Sequence, residues 1–137
     1  MSGGTKKGRA EAIDTCTAYM VGDKIEYLKA FIDTAKVELP SDFFPEYVVN
    51  EKYRKYIQEV QLKNMKILAE LSGITPPEEL IQNGYVDYIE KGWLGALSSL
   101  INVSGVKPLE SIVEKGHRIY MDRKEFDKEK ELIRIIG

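Results

Sequence analysis

Residues 9–39 read RAEAIDTCTAYMVGDKIEYLKAFIDTAKVEL, and this stretch decides the fold class. Its apolar residues fall at Ile13, Cys16, Met20, Leu28, Ile32, Ala35 and Leu39. Gaps of three, four and their multiples place them on one stripe of a helix running from Arg9 to about Glu38. Gly22 lies mid-way, where a glycine costs about 1 kcal/mol relative to alanine, and predicts a bend or a break. Pro40 stops the helix, because it has no N–H for the ladder. Beyond it, Leu39-Pro40-Ser41-Asp42-Phe43-Phe44-Pro45 is an apolar turn whose two phenylalanines plug a core or a subunit contact.

The same period continues down the chain. A second helix is predicted from an Asn50 cap to Leu71, with a stripe of Tyr53, Ile57, Val60, Asn64, Ile67 or Leu68, and Leu71, and with Gly73 as its stop. Thr75-Pro76-Pro77-Glu78 signals another start, with Thr75 capping and Glu78 closing a capping box. That short helix is expected to end near Asn83-Gly84. Tyr85 to Asn102 then reads as a more buried helix, in which Gly92 and Gly95 beside Ala96 allow close approach of a neighbour. Ser104-Gly105 breaks the chain, Pro108 opens a helix carrying Ile112, Val113, Gly116, Ile119 and Tyr120, and residues 123–136 form the last. The reading gives six helices, no strand and no internal repeat of fixed period. It predicts an all-α chain, with an arm and two long amphipathic helices in residues 1–72 and a small helical bundle in residues 73–137. Two long amphipathic helices cannot bury both stripes alone, so another part of the chain or another subunit must cover them.

Composition narrows the chemistry. The 137 residues, 43% hydrophobic and 31% charged, suit one globular domain. No uncharged run approaches the roughly 20 residues of a membrane span. The stretch Met1-Ser2-Gly3-Gly4-Thr5-Lys6-Lys7 lacks the apolar core of a secretory signal. One cysteine, Cys16, excludes an internal disulfide, and with the single His117 it excludes a Cys/His zinc site. Cys16 sits on the apolar stripe and reads as a small buried hydrophobe. His117 stands between Lys115 and Arg118, which disfavours its imidazolium, and no nucleophile is paired with it. Gly3-Gly4 and Lys6-Lys7 lack the spacing of a phosphate loop. No catalytic constellation emerges, and no cofactor, metal or small-molecule substrate is expected.

What remains is a charge distribution. Residues 1–66 carry eleven basic and ten acidic residues, and residues 67–137 carry nine and twelve. Lys6, Lys7 and Arg9 form a basic arm. Lys52, Lys55, Lys63 and Lys66 fall within a narrow arc of the second helix, and Arg54 lies beside them. A solvated helix face and a strip that tracks phosphates without reading bases both fit this pattern.

The C-terminal half adds a resemblance. Gly73-Ile74-Thr75 is followed by Gly84-Tyr85, which opens a helix ending at Gly95-Ala96-Leu97. Gly105-x-x-Pro108-Leu109, Lys115-Gly116, Ile119-Tyr120 and a final apolar helix follow. Over residues 73–136 this order resembles the major coat proteins of archaeal rod-shaped and filamentous viruses with linear double-stranded DNA. The resemblance implies a structural protein located in the virion, and in the host cytoplasm during assembly. Its copies would pair with themselves or with a paralogue, and the dimers would stack helically around A-form DNA. It implies an outward-facing C-terminal bundle and DNA-facing N-terminal helices, and is compatible with a membrane envelope that nothing in the sequence indicates. The implied phosphate contacts are Lys6, Lys7, Arg9, Lys24, Lys29, Lys36, Lys52, Arg54, Lys55, Lys63 and Lys66. Ten acids in the same half depart from the family's charge pattern. Two alternatives stay open. One is a small helical adaptor of a ribonucleoprotein complex, in which Tyr53-Arg54-Lys55-Tyr56 would stack single-stranded bases. The other is an enzyme with a site built at a subunit interface.

Overall fold

The computed structural model of the chain describes residues 6–136, and the side chains from residue 8 onward. It is all-α, as expected, with no strand among the described residues. The helices are α1 (Lys6–Val21), α2 (Ile25–Ala35), α3 (Glu46–Gln58), α4 (Leu62–Ser72), α5 (Glu78–Lys91), α6 (Leu94–Ser104), α7 (Glu110–Asp122) and α8 (Phe126–Ile136). Each of the long helices read from the sequence is thus two. The predicted break at Gly22 occurs, with Asp23 as the residue that turns left-handed (φ 59°). The helix expected from Asn50 to Leu71 breaks at Val60 (φ 56°), and its N-terminal end lies at Pro45, with Asn50 inside it. The chain from Tyr85 to Asn102 divides at Gly92. Thr75 caps nothing, because α5 begins at Glu78 after Pro77 and runs unbroken through Gly84.

These breaks follow a register that the sequence pattern hides. The left-handed residues Asp23, Val60, Gly92 and Lys124 stand at steps of 37, 32 and 32 residues. A second left-handed series, Lys36, Gly73 and Gly105, closes α2, α4 and α6 at steps of 37 and 32. The described residues form four tandem helical hairpins (α1–α2, α3–α4, α5–α6 and α7–α8), and the longer first step is the loop over residues 36–45. The absence of a fixed-period repeat inferred from the sequence is therefore corrected.

One device closes every hairpin. The carbonyls of Tyr19, Tyr56, Tyr88 and Tyr120 accept the backbone N–H five residues on, from Lys24, Gln61, Trp93 and Glu125, at 2.8, 2.7, 2.8 and 2.8 Å. This is the wide bond of a helix C-terminal motif, and it requires the left-handed residue between donor and acceptor. Three of the four turns place a non-glycine residue there, at a cost of about 1–2 kcal/mol each.

The hairpins stack in two layers. Even helices pack in the order α2, α4, α6, α8, and α3, α5 and α7 form the other row. The repeated packing has repeated hydrogen bonds. Tyr88 donates its hydroxyl to the carbonyl of Ile57, and Tyr120 donates to that of Ile89 at 2.6 Å. Tyr53 and Tyr85 brace the opposite edge, reaching the carbonyls of Ile74 and Val106 and the hydroxyls of Ser72 and Ser104. Leu68, Leu100 and Leu132, at one register position, are fully buried. Burial pushes the Tyr88 and Tyr120 phenols up to about 12, so both remain donors throughout the neutral range.

Close approach is made by Gly84 and Gly116, one period apart. Gly95, expected to allow it, faces open space. Phe43 and Phe44 pack edge to face in the long loop, with ring centroids 4.9 Å apart, and are half-buried.

A methyl group at Gly84 would stand 2.6 Å from Ile57 Cγ2 and 3.0 Å from Leu100 Cδ2, whereas one at Gly116 would meet side-chain carbons no closer than 3.0 Å. Gly84→Ala is expected to destabilise by about 1–3 kcal/mol despite its better helix propensity. Gly116→Ala should lie close to neutral. Urea denaturation of the two variants measures the difference.

Candidate nucleic-acid interface

The eleven basic residues do not share one surface. Lys6 and Lys7 begin α1, and their side chains lie outside the described residues. Arg9 is exposed on α1, Lys24 lies in the first turn, Lys29 is on α2 and Lys36 closes α2. Lys52, Arg54 and Lys55 are on α3, and Lys63 and Lys66 are on α4. The left-handed Val60 folds α4 back on α3, so the narrow arc expected for Lys52, Lys55, Lys63 and Lys66 is split between two helices.

Five of the nine whose side chains are described already have acids. Lys29 pairs with Asp33 at 3.0 Å, Arg54 pairs with Glu51, and Lys63 reaches Glu26 at 3.2 Å. Lys52 and Lys55 converge on Asp23 at 3.4 and 3.1 Å, and Tyr56 donates its hydroxyl to the same carboxylate. Asp23, Lys52, Lys55 and Tyr56, with Glu26 and Lys63, form a polar seam between the first and second hairpins. Burial raises the Asp23 carboxyl, but the hydrogen bonds from Tyr56 and Lys55 and the charges of both lysines outweigh it, holding the group below the ordinary carboxylate range. The same bond raises the Lys55 ammonium. Tyr56 is pushed upward by burial and by the carboxylate it serves.

Arg9, Lys36 and Lys66 have no acid partner among the described residues, nor has Lys24, whose amine lies 5.9 Å from the Tyr27 ring. Lys66 lines a cleft of about 330 Å³ between the second and third hairpins, whose wall is mainly apolar, with Met65, Ile81 and Val106. A second cleft of about 520 Å³ between α3 and α5 carries Arg54, Asn83, Asp87 and Lys91. Both of its cations are already paired, Arg54 with Glu51 and Lys91 with Asp87.

Asp23 and Glu26 organise this region, and the sequence reading did not single them out. A hydrophilic Asp-Lys after Gly22 marks a turn, but nothing local places it beside residues about thirty positions on. Cys16 is buried as expected, and burial raises its thiol, which keeps it protonated and a poor nucleophile. His117 is half-buried within α7, with Nδ1 2.6 Å from the Glu129 carboxylate of α8. Among the described residues no group of three His, Cys, Asp or Glu side chains could hold a metal ion, and no helix is long and apolar enough to cross a membrane. Compared with family models, curated proteins and solved structures, the chain matches none.

Asp23→Asn keeps a residue type that tolerates the left-handed turn and removes the charge. It is expected to cost about 1–3 kcal/mol at neutral pH, since two ammonium groups lose their shared acceptor. Because the folded carboxyl ionises below its ordinary value, its contribution is complete above the ordinary range and is lost as pH falls through the folded pKa. Thermal melts from pH 7 down to about pH 2 should show a steeper acid loss in the wild type than in the Asn variant.

Proposed function

We propose that the protein is a structural subunit, not an enzyme, which polymerises on linear double-stranded DNA by contacting phosphates. The observation that carries this reading is the set of exposed cations on the first two hairpins, Arg9, Lys24, Lys36 and Lys66, which have no acid partner among the described residues. They are distributed over helices and turns, an arrangement suited to following a backbone and not to reading base edges. The resemblance to coat proteins of archaeal filamentous viruses names the polyanion and the setting, a helical virion around A-form DNA built from paired copies. The polar seam limits the number of contacts, because Lys52 and Lys55 are engaged by Asp23. A paralogous partner would supply further cations.

The adaptor reading relied on Tyr53 and Tyr56 as stacking platforms for single-stranded bases. Both rings are fully buried and both hydroxyls are bonded within the protein. That reading loses its observation.

The test substitutes the unpaired cations and leaves the seam intact. Lys24→Glu, Lys36→Glu and Lys66→Glu, combined, should lower affinity for duplex DNA more than tenfold near 0.1 M salt. The slope of log K against log salt should fall by about 0.9 for each contact removed. Fluorescence anisotropy at several salt concentrations measures both, with circular dichroism to confirm unchanged helicity. Unaltered binding would refute the assignment.

A further inference from the structure

We propose that copies of this chain stack head to tail, with the first hairpin of one copy on the last hairpin of the next, continuing the internal register across the junction. The inference needs no DNA and does not rest on the function proposed above. It rests on what each end of the array exposes at positions that are covered inside it.

At the C-terminal end, Met121 occupies the position of Ile57 and Ile89, and Phe126 that of Leu62 and Leu94. The internal residues are 4, 2, 6 and 7% exposed, whereas Met121 and Phe126 are each 51% exposed. The difference is the hairpin that follows in one case and not, among the described residues, in the other. The missing layer is specified by the layers present. Ile57 and Ile89 are each covered by a helix that brings a small residue over the side chain, Gly84 or Gly116, and a tyrosine hydroxyl to the carbonyl, from Tyr88 or Tyr120.

The N-terminal end of the same chain carries the matching half. Tyr19 holds the register position of Tyr56, Tyr88 and Tyr120, and Phe31 that of Leu68, Leu100 and Leu132. All six internal residues are fully buried, whereas Tyr19 and Phe31 are only half-buried. The Tyr19 ring stacks on Tyr27 and meets Phe31 edge to face, each with centroids 6.1 Å away. Tyr27, 65% exposed, shares its register position with Lys128, whose side chain lies against Gly92 in the preceding turn. Set on another copy's last hairpin, Tyr19 would point its hydroxyl at the Met121 carbonyl, as Tyr120 points at that of Ile89. The aromatic cluster would then cover Met121 and Phe126. Thr15 stands at the position of Gly84 and Gly116, so the junction would be slightly wider than the internal ones.

The two surfaces are different patches, so the contact is heterologous and the assembly is open-ended unless its rotation closes a ring. The test uses one variant for each end, at side chains at least half exposed. Met121→Glu with Phe126→Glu blocks the last hairpin, and Tyr27→Glu blocks the first. Sedimentation velocity without DNA should show wild-type mass rising with concentration, without a limit at the dimer. Each blocked variant alone should stay monomeric. Mixed, the two should form a one-to-one dimer and nothing larger, because each retains the end that the other lacks. Tyr19→Phe, which keeps the ring and removes the donor, should weaken wild-type association about fivefold. Wild-type protein that remains monomeric, or that stops at a closed dimer, would overturn the proposal. So would a Tyr27→Glu variant that still self-associates. Melting curves of each variant separate a blocked end from a lost fold.

Discussion

The fold depends on a tyrosine placed one turn before the end of each odd-numbered helix. Its carbonyl takes the N–H five residues on, which forces the left-handed turn and sends the next helix back along the first. Its ring lies in the gap between successive hairpins, fully buried at Tyr56, Tyr88 and Tyr120. In the third and fourth hairpins its hydroxyl reaches the last turn of the preceding odd helix. One residue therefore sets the hairpin turn and its spacing from the hairpin before. A buried phenol without an acceptor would be costly, so the hydroxyl fixes the register as well as filling space. Arrays built this way draw their stability from each unit and its neighbours.

The first junction departs from this rule, and the departure accounts for the electrostatics of the N-terminal half. Tyr56 gives its hydroxyl to the Asp23 side chain instead of a backbone carbonyl, and Lys52 and Lys55 join it there. A carboxylate with three donors replaces a neutral hydrogen bond. The near balance of acids and bases in residues 1–66 is explained in part by this seam, with Glu26 and Lys63 beside it. Arg9, Lys24, Lys36 and Lys66, which lie outside the seam and have no acid partner among the described residues, are the ones proposed for phosphate contact. The basic character of Lys52 and Lys55 is evident from sequence. Their engagement by Asp23 is not, because the partners are about thirty residues apart and meet only after two helices have folded back.

Helical periodicity alone determined the all-α class, because burial of one stripe needs no knowledge of the partner. The stops at Gly73 and Gly105 were legible too, since glycine takes a left-handed conformation without strain. Burial of Cys16 followed from its place on the stripe. The breaks near Gly22 and ahead of the last helix were legible as well, but the turns at Val60 and Gly92 were not, since both fall inside stretches that read as continuous helix. Asp23, Val60 and Lys124 adopt the left-handed region against their own preference, and Val60 sits where the apolar pattern continues through it. Only the bonded tyrosine carbonyls and the packing of the helices on either side make those conformations worthwhile. The four-fold repeat stayed hidden for the same reason. The second and third hairpins repeat Tyr53, Tyr56, Ile57, Leu62, Leu68, Ser72 and Gly73 at a step of 32, but of these the first hairpin keeps only the tyrosine at Tyr19, and the loop over residues 36–45 shifts its step. Tertiary structure decided the pairing of helices, the use of charge at the first junction and the exposure of both ends. Each of these depends on contacts between residues a full repeat apart, which no local pattern records.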